Sequence, residues 1–113
     1  MEINEYQNQI INFITYPPEL GPFYNTISLQ NDIGNLSNKI KDLMDDPDQK
    51  IDRQYALKIA INLGDILGHV SNLANDMGLT LEELCALNLK KLQLEREKTK
   101  SKQNQNITKY ENK

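Results

Sequence analysis

Apolar residues recur along this chain at steps of three and four, the rhythm of amphipathic helices, and no stretch alternates in the way a strand would. Ile3, Tyr6, Ile10 and the pair Phe13/Ile14 mark a short opening helix. Asn4 with Gln7 three residues later resembles a capping box there, and Pro17-Pro18 ends the segment. Residues 15–26, with three prolines and the aromatics Tyr16, Phe23 and Tyr24, read as an ordered loop. A second helix is expected from about Ile27 to Met44 on the stripe Ile33, Leu36, Ile40, Leu43, stopped by Asp45-Asp46-Pro47-Asp48. Asp52 then serves as N-cap of a third helix running from about Arg53 to Met77.

That third helix carries the strongest pattern. Ala56, Ile59, Leu63, Ile66, Val70, Leu73 and Met77 step without a gap, and Ala60, Leu67 and Ala74 widen the face, as expected of a central element in a bundle. Beside them runs a polar line: Asn62, Asp65, His69, Asn72 and Asp76. Periodicity alone reads that line as an exposed face. Were it buried, it would call for a function, because unpaired polar groups are costly in a core. Gly78 is placed to close the helix in the left-handed region, and Thr80 with Glu83 forms a capping box for a fourth helix, about Leu81 to Arg96. From about Lys98 the stripe fails. The division predicted is a helical domain over 1–97 and a basic, disordered or loosely helical tail over 98–113, and the fold class is all-α.

Charge sharpens this division. Residues 1–89 hold 5 Lys/Arg against 13 Asp/Glu, whereas 90–113 hold 8 against 3. An acidic body repels phosphate backbones, so nucleic acid is not an expected partner. No apolar run approaches the roughly 18 residues of a membrane span, and the N-terminal residues lack a secretory signal pattern. A single cysteine, Cys85, leaves no internal disulfide and reads as a small residue of the core. The expected location is the cytoplasm of a bacterial or phage-infected cell, an origin also suggested by the abundance of Asn, Ile and Lys as in AT-rich genomes.

Three short motifs then stand in order: Asn31-Asp32-Ile33-Gly34-Asn35-Leu36, Asn62-Leu63-Gly64-Asp65 and Asn88-Leu89-Lys90-Lys91. Together with Asn4–Gln7, Lys39-Ile40-Lys41, Ile51-Asp52-Arg53 and Met77–Glu83, they resemble the MazG-like nucleoside triphosphate pyrophosphohydrolases, the all-α NTP pyrophosphatases, over about Ile3 to Arg96. Members of that family carry Gly-Glu-x-Gly-Glu-Leu, then Glu-Leu-Gly-Asp, then Asn-x-x-Lys. The resemblance implies a four-helix bundle assembled as a homodimer or homotetramer. It also implies a Mg²⁺ site that cleaves a nucleoside triphosphate to monophosphate and pyrophosphate. Paired carboxylates at i and i+3 on two packed helices converge as hard oxygen ligands, which suit Mg²⁺ and its waters.

The ligand positions depart from that pattern. Glu, Glu, Glu, Asp become Asp32, Asn35, Asn62 and Asp65, so a site built for about four negative charges keeps two. Mg²⁺ binding is expected to be weakened. Phosphates, conversely, meet less repulsion, and Lys39, Lys58, His69, Asn88 and Lys91 are candidate ligand contacts. Tyr16, Phe23 and Tyr24 either stack on a base or plug the bundle end. The reading is a nucleotide-binding protein with weak or no hydrolysis, one that sequesters a nucleotide or signalling nucleotide. The alternatives are an active Mg²⁺-dependent pyrophosphohydrolase and a structural or protein-interaction module.

Overall fold

The computed structural model describes the backbone of residues 1–111 and the side chains of residues 1–105; residues 112 and 113 of the expected tail lie outside the described residues. All regular structure among them is helical: α1 (Ile3–Ile10), α2 (Gly21–Asp45), α3 (Arg53–Asp76) and α4 (Leu81–Glu111), with 3₁₀ turns at Ile11–Phe13 and Pro18–Leu20. The chain divides into two units, Met1–Leu81 and the segment from Glu82 onward. No helix of the described residues is long and apolar enough to cross a membrane.

Local chemistry explains most boundaries. Asp52 Oδ1 accepts the Tyr55 N–H at 2.8 Å and caps α3. Gly78, at φ 73, closes α3: its N–H bonds the Asn75 carbonyl at 3.0 Å and the Leu79 N–H bonds Ala74 at 2.9 Å, the Schellman pattern. The capping box of α1 uses Glu2 and Glu5 rather than Asn4 and Gln7. Gln7 is instead buried and ties the post-α3 turn to α1, donating to the carbonyls of Leu79 (2.9 Å) and Ser71 (3.4 Å) while accepting from the Leu81 N–H (3.0 Å).

Two extents differ from the periodicity. Helix α2 begins at Gly21, six residues before the expected Ile27, so the second half of the expected loop is helical. Proline breaks helix interiors but fits the first turn, where its missing N–H has no intrahelical partner, and Pro22 sits there. Helix α4 continues to Glu111 instead of ending near Arg96, and Cys85 is exposed on it rather than packed in a core.

The α2–α3 hairpin is the centre of the first unit. Three polar bridges cross it: Asn25 Nδ2 to Asp76 Oδ2 at 2.9 Å, His69 Nδ1 to Asp32 Oδ2 at 2.6 Å, and Lys39 Nζ to Asn62 Oδ1 at 2.5 Å. Positions 25, 32 and 39 ascend by seven while 76, 69 and 62 descend by seven, so the helices run antiparallel in one heptad register. Leu29, Leu36 and Leu43 alternate with the bridges on α2, as do Ile59, Ile66 and Leu73 on α3, all half-buried. The seam therefore has one apolar and one polar line. This corrects the expectation of an exposed polar face: Asn62 and Asn72 are buried, His69 and Asp76 half-buried, and of the five only Asp65 is exposed.

The apolar residues one position past the seam point elsewhere. Ile33 and Ile40 follow Asp32 and Lys39; Leu63, Val70 and Met77 follow Asn62, His69 and Asp76. One residue is about 100° of rotation, and in an antiparallel pair that turn carries both sets to the same side of the hairpin. Ile33, Leu63 and Met77 are more than half exposed there, and Ile40 more than a third.

Candidate functional site

The opposite side of the hairpin holds a pocket of about 250 Å³. Its α3 wall is the strip Gly64, Asp65, Gly68, His69 and Asn72, which repeats at steps of three and four. Facing that strip are Ile10, residues 13–16, with Phe13 and Tyr16, and Tyr24 from the first turn of α2. Tyr16 stacks on Tyr24 with ring centroids 4.5 Å apart, and Tyr24 tilts over His69 at 6.4 Å. The pocket is smaller than most small-molecule sites (about 300–1,000 Å³) and suits one ring system rather than a whole nucleotide.

Asp32, buried beneath, fixes the imidazole by its Nδ1, which leaves Nε2 of His69 outside this contact. Asn72 is 9% exposed, and its Oδ1 is enclosed without a hydrogen-bond partner among the described residues. Tyr6 closes the far side of Gly68: a Cβ there would lie 3.6 Å from its hydroxyl. Burial pushes the Tyr6 hydroxyl above its ordinary value of 10.0, and the nearby Asp65 carboxylate adds to the rise. Burial also raises Tyr16, with contributions from Asp76 and Tyr24, against the opposing hydrogen bond from Asn25.

These shifts predict alkaline behaviour. A tyrosine raised in the folded state keeps its proton where the unfolded chain releases it, so folding stability is full below pH 10.0 and falls as pH climbs through the folded value. Urea melts between pH 8 and 11 should show a downward slope that is shallower in Tyr6→Phe.

At the 45–52 end of the hairpin lies a second cleft of about 350 Å³, where Lys39 and Lys58 share the walls with Asp42, Asp52 and Tyr55. The Tyr55 hydroxyl donates to the Lys39 carbonyl at 2.9 Å.

The residues singled out by sequence are thus distributed as follows. Asp32 meets His69, Asn62 meets Lys39, Lys39 and Lys58 share a cleft, and Asp65 and His69 share the aromatic pocket. Asn35 is exposed on α2. Asn88 and Lys91 lie on α4 in the other unit, where Lys91 reaches Glu95 at 3.9 Å. The four positions of the acidic motif do not form a shared carboxylate cluster, and no group of three or more His, Cys, Asp or Glu is gathered for a metal among the described residues. Sequence reasoning missed the pairing of Asp32 with His69 and the cluster of Tyr16, Asn25 and Asp76. The available signal was the seven-residue recurrence of polar residues on two helices, in opposite directions.

No family model matches the chain, and no solved structure matches it. The chain is similar to the "Gene 37 protein" of Mycobacterium phage L5, 33% identical over 73 residues, which is 65% of this chain. It spans 64% of that phage protein's length.

Proposed function

We infer that the chain is a nucleotide-binding protein with weak or no hydrolytic activity, on a scaffold like that of the MazG-like pyrophosphohydrolases. The observation that carries this reading is how the acidic-motif oxygens are used. Asp32 Oδ2 faces the His69 ring on the wall of the aromatic pocket, and Asn62 Oδ1 takes the Lys39 ammonium, which lines the second cleft. A Mg²⁺ ion of the kind the resemblance implies needs near-octahedral oxygens and keeps most of its waters. Of the four motif positions only Asp65 retains an unengaged carboxylate, so these residues do not fit such an ion. Without a cation to polarise phosphate or activate water, a bound nucleotide stays intact. A phage relative accords with a role in an infected cell, where binding without turnover removes a nucleotide from use.

The decisive measurement pairs calorimetry with recovery. Nucleoside mono- and triphosphates titrated into the full chain should bind and be recovered unchanged after denaturation, with Mg²⁺ or Mn²⁺ present. Steady pyrophosphate release would replace this reading with that of a working pyrophosphohydrolase. If no nucleotide binds or shifts the melting temperature, an interaction module takes its place.

The same reading includes a homodimer or homotetramer, supported by the exposed line of Ile33, Ile40, Leu63 and Met77 in a unit whose buried apolar residues are only Tyr55, Ala74 and Leu81. Sedimentation should give an oligomer, and Leu63→Asp should shift it toward monomer while retaining helical content.

A further inference from the structure

The chemistry of the pocket edge narrows the ligand. The α3 strip has two gaps where side chains would stand, Gly64 and Gly68, four residues apart and flanking Asp65. A Cβ at Gly64 would meet nothing within 4 Å, so packing does not require a glycine there. Glycine in a helix interior is disfavoured by about 1 kcal/mol relative to alanine. The bare backbone at Gly64 leaves open space on a wall that faces the Tyr16–Tyr24 stack, whereas Gly68 is approached by the Tyr6 hydroxyl and Ile10.

Two of the polar groups around that wall are acceptors that no described donor engages. Asp65 offers two carboxylate oxygens, which make no hydrogen bond or ion pair with the described residues. Asn72 Oδ1, on the same wall, has no donor. No lysine or arginine lines this pocket. An enclosed acceptor without a donor costs about 1–3 kcal/mol, which a ligand donor would recover. A ring carrying adjacent N–H groups satisfies a carboxylate by two parallel bonds, and among the natural bases guanine has that edge in its N1–H and 2-amino group. Adenine presents a ring acceptor at the corresponding position, which a carboxylate repels.

We propose that the pocket is a base-selective subsite that reads guanine through the Asp65 carboxylate, with the ring lying against the open Gly64 backbone on the wall that faces the Tyr16–Tyr24 stack. This rests on the nucleotide-binding reading and adds to it the identity of the base. Hydrogen bonds to a charged group are worth about 1.5–3 kcal/mol, so losing one donor should weaken binding roughly tenfold or more.

The test uses GMP, IMP, AMP and CMP as probes of the full chain, by calorimetry in EDTA. GMP should bind at least tenfold tighter than IMP, which lacks only the 2-amino group, and tighter still than AMP and CMP. Asp65→Asn should erase the preference between GMP and IMP. Gly64→Ala separates folding from recognition: it should raise the melting temperature while weakening GMP at least tenfold, because the added methyl occupies that open space. Equal affinities for all four monophosphates would overturn the base selection and leave nucleotide binding standing. Unchanged GMP affinity in Gly64→Ala would place the ring elsewhere and overturn the subsite. If neither these probes nor their triphosphates bind, the subsite and the nucleotide-binding reading fall together.

Discussion

Replacing His69 with leucine should destabilise the protein by about 3 kcal/mol, the low end of the range for leaving a buried carboxylate without its partner. Asp32 is 8% exposed, and its carboxylate faces the His69 Nδ1 at 2.6 Å. Removing the imidazole leaves that carboxylate enclosed without its donor. The histidine keeps about a quarter of its side-chain surface, which is why the low end applies. The informative partner is Asp32→Leu/His69→Leu, in which both polar groups go and the seam gains two residues like Leu29 and Leu36. That double variant should recover most of the loss or exceed the parent, since exchanging a buried pair for packed apolar side chains is often neutral or stabilising. Denaturant melts of the two single variants and the double give the coupling directly. A double variant no more stable than His69→Leu would mean that the pair does not carry the energy of this part of the seam. The pair also fixes the His69 ring on the pocket wall, so the double variant should fold yet bind nucleotides more weakly than the parent.

The heptad geometry shows why the helices were legible and their faces were not. Steps of three and four locate Leu36, Leu43, Ile59, Ile66 and Leu73 correctly on helices, and every one of them reaches the seam. The same steps gather Ile33, Ile40, Leu63 and Met77 into the apparent core stripe, although they lie on the hairpin's outer side in this unit. A hydrophobicity pattern sums over the whole apolar arc and cannot tell a seam residue from its neighbour 100° away. The discriminating residues here are polar: Asn25, Asp32 and Lys39 against Asp76, His69 and Asn62. Each looks solvent-facing alone and becomes a seam residue only when matched with its partner across the pair. Polar groups in such positions fix orientation and register at some cost in stability.

The site was readable to the same partial degree. The motif positions Asp32, Asn62 and Asp65 and the neighbouring His69 all lie along one stretch of the hairpin. What the spacing could not supply was which oxygen finds which cation, because that depends on side chains reaching across from the other helix. Tyr16 and Tyr24 were left between stacking on a base and plugging the bundle end. They stack on each other at the pocket mouth, and Tyr24 stands over His69 because α2 begins at Gly21, three residues before it.

That early start of α2 is also where a single methyl group should do the most harm. Gly21→Ala places a Cβ 2.4 Å from Asp76 Oδ2, 2.7 Å from its Cγ and 2.8 Å from Oδ1, closer than real side chains approach. Asp76 is not free to swing aside. Its Oδ2 accepts from Asn25 Nδ2 at 2.9 Å, and the same amide nitrogen donates to the Tyr16 hydroxyl at 2.8 Å. Asn25 is fully enclosed, and its Oδ1 already lacks a partner, so losing Asp76 as acceptor would strand more of a buried amide. The carboxylate also sits over the first turn of α2, where the helix dipole favours negative charge. Overpacking and the broken bond together should cost about 2–4 kcal/mol in a urea melt. The clash has a specific signature. In an Asp76→Ala background the carboxylate is absent, and adding Gly21→Ala there should cost far less than it does in the parent. A cost that is the same in both backgrounds would locate the harm in the α2 backbone instead of in contact with Asp76. Gly64→Ala, mid-helix and with open space at its Cβ, provides the control in which the same substitution stabilises.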